Sequence, residues 1–581
     1  MRRKGKGRAA AALLLSFMVT LTACSGGAEN TTGNASQTGT ADKNGIVTLR
    51  VLVNETGTNW NTYPDSDIAK EIEKKVGVKI EYVEADANKM NVLLAGGDLP
   101  DIVRADPTQY GKQLIDGKLI IPMDDLLGKY GKDIQESIPT VVDYSRDNWS
   151  EGQKKLYFLP PQIQADPSPI YPNLTIGPTM RWDYYKEAGT PPINSTDDLL
   201  NVLQQISAKH PTTEEGKKIY GVSMWQDWGL WPYIIPFTWI TQQSAIGSSD
   251  LFAKPLGEHR LINVLTDENS NYWVAMDFYN KAYRMGLLDP DALTMKNNDY
   301  MAKATAGQFI LGPATWAMGD YNAKYAKDGK GFMVLPVGKQ AWSGGVRPVG
   351  WADKSYAISK SSKYPEKAME FLNYIHSYEG ARTLYSGIEG THWKMENGKP
   401  QLTKETIDMK VNGGDAWERT GIALDQNLIG LGGSVIDPKT KTPVNLFSTE
   451  EAMAASSTAL EKDFSKHYES SYPGEVVSKM VQEGKLQDEN TPLQNMTAEE
   501  IVQENTVVLP VLNDDLLKLE TQLKELAART AATMILSKAD EDFAANKQDA
   551  IAAFKAAGAD QLTQFLTTEY SKALQTAGVK Q

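Results

Sequence analysis

The sequence predicts an α/β protein built of two or more lobes, on three observations. Directly after residue 45, short β-branched runs alternate with helical segments: IVTLRVLV (46–53), a helix with Ile68, Ala69, Ile72 and Val76 at helical spacing before Gly77, VKIEYVE, the helical MNVLLAGG, and LPDIVRAD. A β-α-β-α-β order implies a parallel sheet with right-handed crossovers, and such sheets hold ligands beyond the carboxyl ends of their strands. The same rhythm resumes downstream with longer helices, and 581 residues exceed several times the roughly 150 of a common single domain.

In chain order, the first element is an address. Residues 1–8 carry five positive charges (Arg2, Arg3, Lys4, Lys6, Arg8) and no acid; fifteen uncharged residues, AAAALLLSFMVTLTA, then precede Cys24, the one cysteine. This is the layout of an export signal over 1–23, too short for a spanning helix of about 20 apolar residues. Leu21-Thr22-Ala23-Cys24 resembles the bacterial lipoprotein box, which implies that Cys24 becomes the acylated, palmitate-bearing first residue of the mature chain. Ser25 to Gly45 holds no apolar residue larger than Ala, so 24–45 reads as a lipidated cysteine and flexible tether. The expected location is the extracellular face of the cytoplasmic membrane. Cleavage removes the five cations and takes the net charge from -13 to -18.

The polar loop NETGTNWNTYPDSD follows the first strand. Further on, Ser195 or Thr196 caps the helix DDLLNVLQQI, Val274, Phe278 and Ala282 line one helix face before Gly286, and Pro365 opens EKAMEFLNYIHSY. FILGPATWAMG and GFMVLPVG read as strands with tight turns. The last third is helical: Leu516, Leu519, Leu523 and Leu526 form an apolar stripe, and ADEDFAANKQDAIAAFKAAGADQL is rich in helix formers.

Composition removes several function classes. Hydrophobic residues at 41% and charged at 23% fit a soluble globular protein, and a net charge of -13 argues against binding nucleic acid. One cysteine permits no intrachain disulfide and no Cys-built metal site, and His210, His259, His376, His392 and His467 are dispersed. The zinc-protease, nucleophile-elbow, phosphate-loop and dinucleotide motifs are missing. The sequence therefore predicts no catalytic residues, no cofactor and no metal. Two carboxylates suffice for a glycosidase, so a surface-anchored glycoside hydrolase or lyase is the rival from another class, with a non-transport carbohydrate adhesin or sensor as a third reading.

Three segments, in order, carry a family resemblance: NVLLAGGDLPDIVRAD, TMRWDYYKEAGTPPINSTDDLLNVLQQI and SYAISKSSKYPEKAMEFLNYIHSYEGARTLYSGIEGTHW. They resemble the family 1 extracellular solute-binding proteins, the receptors of ABC importers, and the large oligosaccharide-binding branch related to alginate-oligosaccharide-binding proteins. The resemblance implies a two-lobe fold of the periplasmic-binding-protein kind (type II), each lobe a mostly parallel sheet flanked by helices, with a helical carboxyl-terminal extension. It places 46–165 plus 330–375 in the amino-terminal lobe and 166–329 plus 376–581 in the other. It implies a monomer that clamps an oligosaccharide between lobes and delivers it to the transmembrane permease subunits. Some relatives carry a calcium loop; here the corresponding KHPTTEEGKKIYGV offers Glu214 and Glu215 without alternating Asp/Asn oxygens, so no calcium is expected.

A sugar presents an apolar C–H face and a rim of hydroxyls, so its site combines flat aromatic rings with carboxylates, amides and arginines. Trp225, Trp228, Trp231 and Trp239 fall within fifteen residues, interrupted by Gly229 and Pro232 in a manner that favours loops. Trp225 and Trp228, with Asp227 between them, are expected in the cleft, while core filling is weighed equally for Trp231 and Trp239. Strand ends nominate Asn59 and Trp60, Arg104 and Asp106, Trp316 after Gly312-Pro313, and Trp351 beside Gly350. Arg181 and Asp183 match the family's Arg-x-Asp, and Glu389 and Trp393 stand in GIEGTHW. Asp101 reads as a structural cap.

Overall fold

Eight short strands, in two sheets of four, organise the chain in a computed structural model that describes residues 41–580 except 44, 54–63, 164–175, 247–248, 340–345, 424–427, 508 and 510–511. Cys24, the segment before it, most of the tether, and Asn59 and Trp60 lie outside the described residues. The strands are β1 (Val47–Val53), β2 (Val78–Glu84), β3 (Ile102–Arg104), β4 (Ile176–Arg181), β5 (Tyr220–Val222), β6 (Phe309–Ala314), β7 (Phe332–Val334) and β8 (Tyr356–Ile358).

The first sheet has the order β8-β3-β1-β2. Central β1 runs parallel to both neighbours, with Val51 opposite Tyr82 on one side and Ile102 on the other. The crossovers are the predicted helices: Asp67–Val76 starts where Ser66 Oγ accepts from Ala69 N at 3.2 Å and ends at left-handed Gly77, and Ala87–Gly96 starts on Asp86. Returning β8 lies antiparallel on β3. Asp101 ties this edge together, accepting from Arg50 N at 3.0 Å and Ser362 Oγ at 2.6 Å.

The second sheet has the order β7-β4-β6-β5; β5 and β6 are parallel, whereas β4 pairs antiparallel with both β6 and β7. The expected mostly parallel sheet thus holds for the first, with two parallel pairings and one antiparallel, but the second has one parallel pairing and two antiparallel, because β4 enters against both of its neighbours.

The hydrophobic cores divide the chain at different points from the expected limits of 330 and 376. Residues 332–334 complete the second sheet. Ala381, Leu384, Ile422, Leu428, Leu431, Val444 and Phe447 pack instead with Leu49, Val51 and Phe371 of the first core. Leu460, Phe464 and Val476 then join the second. An amphipathic helix states that one face needs cover but not which sheet covers it, so these assignments depend on tertiary contacts.

The carboxyl-terminal extension consists of helices Asp514–Ile535, Asp540–Ala556 and Ala559–Ala577, whose Leu523, Phe554, Leu562 and Leu566 enter the second core. They dock on helix Asn271–Arg284. Its buried Asn280 donates from Nδ2 to the carbonyls of Met534 (3.1 Å), Ile535 (3.1 Å) and Ser537 (2.7 Å), sharing two N–H groups among acceptors that the helix end leaves open. Among the described residues no helix is long and apolar enough to cross a membrane.

Candidate functional site

Two polar-aromatic patches form at the carboxyl ends of parallel strands, one on each sheet. On the second sheet, β5 leads through Ser223 and Met224 to Trp225, and neighbouring β6 leads to the short turn Trp316–Met318. Trp225 is fully buried and serves as a base. Trp228 and Trp316, 45% and 39% exposed, stack at 5.5 Å and 24° with edges on Trp225 at 5.4 and 6.0 Å. Trp231, half-buried, closes the set at 5.9 Å from Trp228 and 5.6 Å from Trp316, and Tyr300 backs Trp225 at 4.7 Å. Each such ring pair adds about 0.5–1.5 kcal/mol beyond area burial.

Hydrogen bonds fix the loop that presents these rings. Gln226 donates from N to Met295 O (2.9 Å) and from Nε2 to Ala292 O (2.8 Å), and accepts from Tyr233 Oη. Asp227 is exposed and accepts from Asn297 N at 2.8 Å. Gly229 has φ +59°, and a Cβ there would lie 2.7 Å from Asp250 Oδ2, which accepts from Leu230 N. Burial raises the pKa of Asp250, with the Lys524 charge and the Leu230 bond acting against it.

On the first sheet, β3 ends at Arg104 and delivers Asp106, which caps helix Pro107–Asp116 by accepting from Thr108 N (2.8 Å) and Oγ1 (2.7 Å). Burial raises this carboxyl's pKa, and the Thr108 bonds oppose the shift. The segment entering β8 packs its short turn Ala352–Lys354 on that helix and brings Trp351 to the same edge. Trp351 N donates to Pro161 O at 2.9 Å, and Gln162 Nε2 donates to Pro348 O at 3.3 Å, so two crossing segments lock together. Gly350, at φ +98°, permits their approach: a Cβ would stand 2.5 Å from Pro160. Arg347 lies 5.7 Å and Lys354 5.5 Å from the Trp351 ring centre.

The other nominated residues sit elsewhere. Arg104 is fully buried. Arg181 is buried in a bidentate pair with Asp183 (Nε–Oδ1 2.9 Å, Nη2–Oδ2 2.6 Å) and lies over Tyr184 at 3.8 Å and Tyr321 at 4.7 Å. Burial pushes its pKa down, but Asp183 outweighs this and the net shift is upward. Trp393 is buried and spends its indole N–H on Gly387 O at 2.8 Å, beside exposed Glu389. Trp239 is core. Glu214 pairs with Lys330 at 2.9 Å, and among the described residues no group of three or more His, Cys, Asp or Glu could hold a metal ion.

The structure thus gathers Trp225, Asp227, Trp228 and Trp316 at one edge, and Asp106 and Trp351 at the other. Sequence reasoning missed Tyr300, Asn297, Arg347 and Asp353. For Arg347 a signal existed: it stands four residues before Trp351 in a Gly- and Pro-rich crossing segment.

Comparison with known proteins accords with this architecture. A family model described as bacterial extracellular solute-binding protein matches residues 59–382. The fructooligosaccharide ABC transporter substrate-binding protein FusA of Streptococcus pneumoniae serotype 4 is 24% identical over 286 residues, 46% of this chain and 49% of that protein. The match therefore spans about half the length of that relative. Among solved structures, S. pneumoniae FusA in complex with kestose superposes with a TM-score of 0.58 at 16% identity, covering 91% of this chain and 100% of the other. Alginate-binding protein AlgQ2 without calcium ion gives 0.52 at 17%, covering 90% and 98%. An HMO binding ABC-transporter associated solute binding protein from Bifidobacterium longum infantis gives 0.52 at 16%, with 90% and 98% covered. At such identities these likenesses speak for the fold. The family model spans more than half of the chain, and the protein belongs to the bacterial extracellular solute-binding proteins, in their two-lobe α/β fold.

Proposed function

We propose that this protein captures an oligosaccharide between its two lobes and presents it to the transmembrane subunits of an ABC importer. The observation that carries the reading is the stacked, half-exposed pair Trp228 and Trp316 on a buried tryptophan base, at the carboxyl ends of two parallel strands. Flat rings held rigid by packing match the C–H faces of successive sugar units at little entropic cost. Asp106 and Trp351 supply an equivalent polar-aromatic edge on the other sheet, and Asn59 and Trp60 extend the candidate set. The sugar ligands named for FusA support the ligand class.

Binding without chemistry is enough for this role. A ligand touching both lobes binds the closed form better than the open form and shifts the population by that difference in affinity. Cys24 tethers the monomer outside the cytoplasmic membrane through its acyl chains, and no cofactor takes part.

The test is a panel of oligosaccharides added to the purified protein. At least one should raise the melting temperature and be recovered unchanged. Shortened products would sink the receptor reading in favour of a hydrolase or lyase; binding without any loss of uptake on gene deletion would favour an adhesin or sensor. Cys24→Ser should move the protein from the membrane fraction to the medium, and its retention would refute the anchor.

A further inference from the structure

Arg347 departs from the way this protein treats its buried arginines. Arg181 and Arg382 are buried against carboxylates, Asp183 at 2.6 Å and Asp437 at 3.0 Å. Arg347 is solvent-exposed; its carbonyl accepts from Gly350 N at 3.1 Å, but among the described residues its guanidinium makes no hydrogen bond and no ion pair. It is nonetheless enclosed: surrounding protein holds its pKa below the ordinary guanidinium value, outweighing the carboxylates of Asp353 and Glu489. Six residues on, Asp353 has a buried Oδ1 with no hydrogen-bond partner among the described residues. Between them in sequence stands the partly exposed Trp351, whose ring centre lies 5.7 Å from the guanidinium. A buried carboxylate oxygen without a hydrogen-bond donor is costly unless a third body supplies one, and the exposed guanidinium beside it keeps its N–H donors open to the same body.

We propose that Arg347 and Asp353 are the donor and acceptor for a vicinal pair of hydroxyls on a neutral sugar stacked against Trp351, so that the protein selects uncharged oligosaccharides over uronates. The proposal rests on the oligosaccharide reading above. The charge balance decides between the two sugar classes. Around Trp351 the carboxylates of Asp106, Asp353 and Glu489 outnumber Arg347 and Lys354, and a uronate would add a further negative charge where protein displaces water. Arg104 and Arg181, which could have met that charge, are 0% and 2% exposed.

A glycan array of neutral oligosaccharides and galacturonate or mannuronate oligomers of equal length, followed by calorimetry on the best neutral binder, tests this. Neutral chains should bind and uronate chains of the same length should bind about tenfold more weakly or worse. Arg347→Gln should weaken the neutral binder about tenfold with an unchanged melting temperature, Arg347→Lys should recover part of the loss, and Asp353→Asn should narrow the gap between neutral and uronate ligands. Preference for uronates, or unaltered affinity in a folded Arg347→Gln protein, overturns the proposal and leaves the oligosaccharide reading standing. Binding of neither class overturns both.

Discussion

Removing one ring of the exposed tryptophan pair measures what stacking contributes to capture. Trp228 and Trp316 are 45% and 39% exposed. A tryptophan side chain presents up to about 250 Å², so roughly 100 Å² of each is open to a ligand. A sugar covering half of that area removes about 50 Å² from water, worth about 1.3 kcal/mol at ~25 cal/mol/Å²; full cover doubles it to about 2.5 kcal/mol. Trp228→Ala and Trp316→Ala should therefore each raise the Kd by between about eightfold and seventyfold. Because the rings stack at 5.5 Å, each loses a support when the other is removed, and the double variant should deviate from the sum of the singles by about 0.5 kcal/mol or more. Isothermal titration of the two singles and the double with a sugar bound by the wild type reads both quantities. Single variants within twofold of the wild-type Kd would refute the reasoning. Trp225→Ala is unsuitable as a probe, since emptying a fully buried tryptophan site costs about 3–5 kcal/mol of stability.

Three further perturbations separate stability from binding. Asn280→Ala should destabilise the fold by about 1–3 kcal/mol in urea unfolding without altering sugar affinity, since it strips the donor from three buried carbonyls; unchanged stability would refute that role. Asp183→Asn leaves the buried Arg181 charge uncompensated and should cost about 3–5 kcal/mol, with affinity retained in the folded fraction; a selective loss of affinity would move the pair into the ligand site. His376 is fully buried, and desolvation lowers its pKa to about 4 despite the bond to Leu372 O. Between about pH 6.5 and 4 the unfolded chain takes up a proton that the folded chain refuses, so stability falls as pH falls, by roughly 3 kcal/mol across that window. His376→Asn should remove this component, and a wild-type-minus-variant difference that stays constant with pH would refute it.

Several candidate site residues were legible because local chemistry constrained them. Trp225, Trp228 and Trp316 sit where a strand meets Gly- or Pro-broken turns, and such turns at carboxyl ends of parallel strands open towards ligands. Arg181 and Asp183 were misleading for a physical reason: at a spacing of two residues, a guanidinium and a carboxylate satisfy one another before any ligand does. Trp393 looked available as part of GIEGTHW, but its N–H is spent on Gly387, a partner that only the folded turn brings near. Arg347 carried only its place before Trp351 in a Gly- and Pro-rich segment, and Asp353 carried no pattern, since a buried oxygen without a hydrogen-bond donor is recognised only from its neighbours in space.

By itself, the sequence determined the β-α-β-α-β opening, the helix ends at Ser195 and Gly77, and the helical carboxyl-terminal third. These are properties of segments of about twenty residues or fewer, where periodicity, capping and charge act locally. Tertiary structure alone decided that 332–334 joins the second sheet, that Ala381, Leu384, Ile422, Leu431 and Phe447 cover the first core, and that Asn280 holds the last helices. It also decided which tryptophans stand open and which lie beneath them. Burial and pairing are relations between distant segments, and the pattern of one segment states only that it needs a partner, not which partner it finds.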